Sequence, residues 1–203
     1  MSKRFFPLEI CTVIRETKDA VTICLDIPKD LQESFGFQAG QHLTVKAEIE
    51  GEEVRRNYSL SSAPHEDKIC FTVKHVVNGR FSSYANGHLR AGMNLDVMPP
   101  IGKFTYPFSR EHHSKYVAFA AGSGITPIMS LLKTGLTTES ESSFVLFFGN
   151  KEKNDVIFLE ELEGLKNRFI ERISIHHIFS KQVQEFTFLN GRIDSSKCET
   201  SAR

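Results

Sequence analysis

The sequence predicts two domains of different class: an antiparallel β-domain, a barrel or a sandwich, over residues 1–109, and an α/β domain with a parallel sheet over 110–203. Three observations carry this reading. The first half breaks into short β-branched or alternating runs separated by turn residues. The second half runs strand, glycine loop, helix, strand, helix, strand, an order that requires right-handed crossovers within a parallel sheet. Residues 107–114, with Pro107, His112 and His113, read as the linker between them. A chain of 203 residues can bury a core in one or two such units.

In chain order, residues 8–14 and 20–27 are β-rich runs flanking Arg15-Glu16-Thr17-Lys18-Asp19, a hairpin that Pro28 ends. Gln38-Ala39-Gly40-Gln41 turns the chain into 42–49, where apolar Leu43, Val45, Ala47 and Ile49 alternate with polar residues. Gly51 turns it back into 54–60. Residues 69–77 alternate again. Asn78-Gly79 is a turn before a short helix through Leu89, with Ser82 or Ser83 as its N-cap. Residues 95–98 are the last strand of this half, stopped by Pro99-Pro100.

The chemistry of the first half concentrates in Arg56-Asn57-Tyr58-Ser59-Leu60-Ser61-Ser62. On an extended segment Arg56 and Tyr58 share one face, and Asn57 and Ser59 the other. A ring that stacks, a guanidinium fork and a hydroxyl suit a planar ligand with a phosphate arm. The helix after Gly79 offers first-turn amides and a positive dipole end to a second phosphate, with Arg80 adding charge.

In the second half, the apolar run 115–121 leads directly into Gly122-Ser123-Gly124-Ile125-Thr126-Pro127. Glycines let a backbone approach a ligand closely, and Pro127 suits the first turn of the helix that follows. Strand, glycine loop and helix in that order form the nucleotide-phosphate unit of open α/β sheets. Residues 143–148 form a second strand, ending in Gly149-Asn150-Lys151. Residues 156–169 have helical spacing through Ile157, Leu159, Leu162, Leu165 and Phe169. Residues 172–179 form a third strand, and Gly191-Arg192-Ile193-Asp194 follows a loop.

Composition narrows the class. With 25 basic and 25 acidic residues the net charge is zero, which gives no electrostatic case for nucleic acid or an anionic membrane. No apolar run reaches spanning length, and Met1-Ser2-Lys3 opens no secretory signal. Cys11, Cys24, Cys70 and Cys198 have neither zinc nor iron–sulfur spacing and read as reduced thiols of a cytoplasmic protein. No metal site is expected: the adjacent pairs His112-His113 and His176-His177 point to opposite faces of an extended chain. Glu160-Glu161 is a solvated helix face, and no Gly-x-Ser-x-Gly nucleophile occurs. With 17 Phe and no Trp the core is Phe-rich.

In this order the motifs resemble the ferredoxin–NADP reductase superfamily over residues 5–194, and most resemble its oxygenase-serving branch, phenylacetyl-CoA systems included, whose members carry FAD, NADPH and a plant-type [2Fe–2S] domain. The resemblance implies a six-stranded Greek-key, FAD-binding barrel. Arg56 would meet the flavin phosphates, Tyr58 stack on the isoalloxazine and Ser59 lie near N5, with Asn57 beside them. Lys74-His75-Val76 would line the ribityl chain, and Gly79-Arg80-Phe81-Ser82 the pyrophosphate. Gly122, Gly124, Thr126 and Pro127, with Gly149, Asn150 and Lys151, would hold the nicotinamide nucleotide. Tyr58, Ser59 and Thr126 are the expected catalytic residues.

The implied reaction is hydride transfer from NADPH to FAD, then single electrons to an iron–sulfur partner, an oxygenase or a ferredoxin-type acceptor. Lys151 favours NADPH, with NADH the alternative. The family's strand with Cys-Gly-Pro and its Cys-x4-Cys-x2-Cys cluster domain have no counterpart here, so the chain reads as a C-terminally truncated piece of a longer reductase. Three clear strands fall below the usual five or six, and the far edge would need cover. Two other readings stand beside this one. One is a flavin-holding fragment that cannot turn over. The other is a different nucleotide-fold enzyme, such as a methyltransferase, which would have no use for residues 56–62.

Overall fold

The computed structural model describes residues 4–201; Met1-Ser2-Lys3 and Ala202-Arg203 lie outside the described residues. Two sheets organise the chain. The first contains β1 (Phe6–Thr17), β2 (Ala20–Leu25), β3 (His42–Ile49), β4 (Glu52–Ser59), β5 (Ile69–Lys74) and β6 (Asn94–Ile101). It is antiparallel with order β4-β3-β6-β1-β2-β5, and an isolated bridge between Leu60 and Phe71 draws its two end strands together. The alternation read in 42–49 turns Leu43 and Val45 inward, where they join Leu8, Ile23, Phe71 and Val97 in a fully buried core.

The second sheet is parallel, in the order β7 (Lys115–Ala121), β8 (Ser143–Asn150), β9 (Ile173–Phe179). The helices α2 (Ile125–Thr138) and α3 (Leu159–Arg168) pack on its face around Leu146, Phe148 and Leu162. The short helix α1 (Arg80–Gly87) lies in the first domain, and α4 (Ser195–Ser201) ends the described chain. The loop after β9 partly covers the far edge. Gly191 donates its amide to Phe179 O at 2.8 Å, and Gln184 Nε2 reaches His177 O at 2.9 Å.

Five expectations are corrected. Strand β6 runs through Pro99-Pro100 because the prolines occupy a bulge. Between Thr44↔Met98 and His42↔Ile101 the proline strand spends three steps against two, so no ladder amide is needed there. Strand β5 stops at Lys74, leaving His75 and Val76 beyond it. Helix α1 is capped by Gly79, not by Ser82 or Ser83. The expected helix over 156–169 begins only at Leu159, because Phe158 adopts a left-handed conformation at φ 63° with its amide held by Glu16 Oε2 from β1. Cys24 and Cys70 are not free thiols. They sit opposite each other in the β2–β5 register and form a disulfide across 46 residues, a pairing visible only once the register is known.

The domains are joined by the β1–β2 hairpin and α2. Lys18 pairs with the buried Asp155 at 3.6 Å, and Ala20 packs into the second domain's core. Ser130 Oγ, fully buried on α2, donates to Ser62 O at 2.6 Å, and Lys133 Nζ bridges Glu66 and Glu161, each at 3.0 Å. The linker is held by Glu139, whose buried carboxylate accepts from Ser109 N and Tyr116 Oη and meets His112 Nδ1 at 2.9 Å. Burial raises the Glu139 carboxyl, but the hydrogen bonds from Ser142, Ser109, Tyr116 and His112 outweigh it and hold it below the usual carboxylate range.

Candidate functional site

A cleft of about 640 Å³ lies where the two end strands of the first sheet, β4 and β5, meet the amino end of α2. Because β4 has a neighbour on one side only, residues of both its faces reach the cleft: Arg56, Asn57, Tyr58 and Ser59 all line it. Tyr58 is fixed from behind by Phe71 and Phe81, ring centroids 5.5 Å away in each case. Burial pushes its hydroxyl pKa up to about 12 against the opposing pull of Arg56, so it stays a neutral donor. The tail of the motif is structural. Ser61 Oγ donates to Cys70 O, and Ser62 Oγ accepts from Cys70 N at 3.0 Å, so both hydroxyls bind β4's end to β5.

From β5 and the turn after it come Lys74, His75 and Val76. Gly79 and Ser82 explain their own spacing. Ser82 Oγ accepts from Val76 N at 3.1 Å and donates to Gly79 O at 3.0 Å, tying the turn to the first turn of α1. A Cβ on Gly79 would collide with that hydroxyl and lie 3.0 Å from Val76 O. The turn brings the amino end of α1, whose first amides have no partner within the helix, to the cleft beside Phe81.

The opposite wall comes from the second domain: Ser123, Gly124, Thr126 and Pro127. Gly122 needs its freedom for φ 50°, whereas Gly124 has ordinary backbone angles and no atom within 4 Å of an added Cβ, so its lack of a side chain keeps space open. Thr126 Oγ donates to Ser123 O at 2.9 Å, which closes the turn into α2. Among the described residues no carboxylate lines this cleft, while the Arg56 guanidinium does and Lys74, paired behind the lining with Asp19 at 3.7 Å, adds a second basic group, so Arg56 is the charge that favours an anion here.

Some expected residues lie elsewhere. The Arg80 guanidinium turns away into a neighbouring cleft of about 440 Å³, bonded to Glu52 and to Ile49 O. Gly149, Asn150 and Lys151 sit at the carboxyl end of β8, outside the cleft lining, with Gly149 covered by Ile193 at 3.2 Å from an added Cβ. Neither side-chain polar atom of the buried Asn150 has a partner among the described residues. Beside it Lys181 N donates to Lys151 O at 2.9 Å, which pairs two exposed lysines at the ends of β8 and β9. Lys181, Thr72 and Ser123 escaped the sequence reading. Thr72 was within reach, since it shares a strand face with Lys74. Among the described residues no group of His, Cys, Asp or Glu could hold a metal ion, and no helix is long and apolar enough to cross a membrane.

Residues 7–106 match the oxidoreductase FAD-binding domain and residues 119–203 the oxidoreductase NAD-binding domain. The chain is 43% identical over 196 residues to one of the subunits of the 1,2-phenylacetyl-CoA epoxidase of Escherichia coli, covering 97% of this chain and 55% of that protein. It is 36% identical over 172 residues to the ferredoxin reductase component of 3-ketosteroid-9-alpha-monooxygenase from Rhodococcus rhodochrous, covering 84% of this chain and 48% of that protein. The chain thus spans about half the length of the curated relatives it matches. The cytochrome b5 reductase domain of Ulva prolifera nitrate reductase shares the fold, with a TM-score of 0.80 at 23% identity over 98% of this chain and 82% of that one. A six-stranded antiparallel domain matching one model, a parallel-sheet domain matching the other and a cleft between them place the chain in the ferredoxin–NADP reductase family of FAD- and NAD-binding oxidoreductases.

Proposed function

We propose that the cleft seats FAD against the barrel and NADPH against the α2 side, and that the chain is the electron-input module of an oxygenase reductase, with a phenylacetyl-CoA system as its favoured setting. The observation that carries this is the shared wall: Tyr58 and Ser59 line the same cleft as Gly124 and Thr126. When bound, the cofactors supply the redox chemistry, a hydride passing from the nicotinamide to the flavin and electrons leaving singly toward an iron–sulfur partner domain, oxygenase or ferredoxin.

The chain's own residues bind and orient. Tyr58 offers a ring fixed in place by Phe71 and Phe81, Arg56 and the amino end of α1 face phosphate, and Ser59 presents a hydroxyl at the join. Thr126 shapes the turn that brings Ser123 and Gly124 to the second ligand. For the nucleotide, the paired lysines 151 and 181 and the unpartnered Asn150 amide lie at the carboxyl ends of parallel strands, where open α/β sheets bind ligands. Two cations there favour NADPH over NADH. The domain boundary falls at 109/110 on this reading, and a cytoplasmic site of action rests on the proposed use of NADPH alone, since the Cys24–Cys70 disulfide removes the reduced-thiol ground for it.

The test is a visible spectrum of the purified protein before and after anaerobic NADPH, repeated with NADH. A yellow protein that bleaches, with NADPH the better reductant, is expected. A colourless protein that FAD cannot reconstitute sinks the reading. The three-stranded sheet favours one alternative, a flavin-holding fragment that stays yellow under NADPH.

A further inference from the structure

A line of hydrogen bonds connects the second domain to the wall of the cleft along the face of β2 and β5 that turns away from the first domain's core. Glu16, near the end of β1, accepts from Phe158 N with Oε2 at 3.2 Å and from Thr22 Oγ with Oε1 at 2.7 Å. Thr22 Oγ in turn lies 2.7 Å from Thr72 Oγ on β5. Both threonines are buried, at 4% and 3% exposure. Thr72 lines the cofactor cleft, whereas Glu16 and Thr22 line a separate cleft of about 600 Å³ between the hairpin and α3. The two hydroxyls are therefore a partition with a carboxylate on one side and the proposed flavin site on the other.

Proton counting fixes the polarity of this line. A threonine hydroxyl carries one proton, and an ionised carboxylate carries none. With Glu16 ionised, Thr22 gives its proton to Glu16 and Thr72 must give its own to Thr22. Thr72 Oγ then has only lone pairs left for the cleft. With a proton on Glu16 Oε1 every arrow can reverse, and Thr72 donates into the cleft.

We propose that Glu16 is a positioning residue that sets, through Thr22 and Thr72, whether the cleft is offered a lone pair or a proton at Thr72 Oγ. The proposal rests on the reading of the cleft as the flavin site. An isoalloxazine edge carries an imide N–H beside carbonyl oxygens, so the two states of Glu16 suit different ligand atoms. The ionised state presents the acceptor that the imide N–H requires.

The surroundings bring this switch toward working pH. Burial is the largest influence on Glu16 and raises its pKa; the bonds from Thr22 and Phe158 lower it, and the charges of Glu161 and Glu160 on α3 raise it again, for a net upward shift. Lys133 of α2, Lys153, Glu66 and, on its own hairpin, Arg15 are the other charges around that cleft, with Lys18 paired to Asp155 nearby.

The experiment measures the FAD dissociation constant from about pH 4 to about pH 8 for the full chain and three variants. In the native protein binding weakens roughly tenfold as Glu16 takes up its proton, one hydrogen bond having been reversed. Glu16→Gln, whose amide can donate to Thr22, is expected to bind weakly at every pH. Thr22→Val cuts the line and removes the pH step, and Thr22→Ser, which keeps a hydroxyl, restores it. The other titratable groups of the cleft, His75 among them, are common to all four proteins and cancel. Superimposable profiles for the native chain and Glu16→Gln overturn the proposal even if Thr22→Val does not fold. Failure of the native chain to bind FAD at any pH overturns the flavin reading as well, and is a different result.

Discussion

The two walls of the cleft are built by opposite means. On the barrel side the ligand would meet side chains, namely the fixed Tyr58 ring, the Arg56 guanidinium and the Ser59 hydroxyl, held by strands whose core is fully closed. On the α2 side the wall is the tight turn Ser123-Gly124 with Thr126 and Pro127, and at Gly124 the sequence contributes an absence of side chain that keeps space open. The first kind of site is damaged by truncating residues. The second is damaged by enlarging them.

That contrast can be broken most directly by Arg56→Ala with Tyr58→Ala. Losing a charge-assisted contact and a stacking face removes about 3 kcal/mol, roughly a hundredfold in FAD affinity measured on the folded protein, and the lost packing of the Tyr58 ring on Phe71 and Phe81 lowers the melting temperature as well. An unchanged flavin content would move the site elsewhere. Next in size are two glycine changes with the same chemistry and different outcomes. Gly79→Ala forces a Cβ against Ser82 Oγ and Val76 O and is expected to cost about 1–3 kcal/mol of stability, read in urea titration. Gly124→Ala meets nothing, so the melting temperature holds while pyridine nucleotide affinity falls. Equal melting losses in both would erase the distinction.

Ser130→Ala tests the join between the walls. It leaves the buried Ser62 carbonyl unpaired at a cost of about 1 kcal/mol, and a stability identical to the native chain would show the bond to be idle. The smallest effect concerns acid. Burial keeps His177 neutral and its pKa below 6.5, with Lys166, Lys153 and His176 adding to the shift and Glu163 opposing it. The unfolded chain then binds the proton first, so stability is complete above about pH 6.5 and falls as the pH drops from there toward the folded value. His177→Phe is expected to flatten that slope in melting curves.

The order of elements was legible in the sequence, because alternation at 42–49 and the apolar run 115–121 each mark a strand whose bounds match the structure. What stayed hidden depends on register or on long-range contact. The Cys24–Cys70 pair needs the β2–β5 register. The late start of α3 depends on Glu16, 142 residues away, holding the Phe158 amide. The Pro99-Pro100 bulge needs the partner strand to reveal that no amide is missed. Arg80 read as a phosphate ligand from its place at a helix start, but the carboxylates of Glu50 and Glu52, brought close by the β3–β4 turn, draw it aside.

The seam between β4 and β5 has one further consequence. Among the described residues the first sheet's end strands are joined only past the end of β4, by the Leu60–Phe71 bridge and the bonds of Ser61 and Ser62 to Cys70, and the open space beside that join is where the cofactor would lie. A ligand seated there closes the wall and behaves as an additional core element. Folding and cofactor supply are then linked by mass action: each tenfold rise in free flavin above its dissociation constant adds about 1.4 kcal/mol to the folded state. In a cell short of riboflavin, proteolysis would lower the amount of this protein before slow catalysis lowered its output.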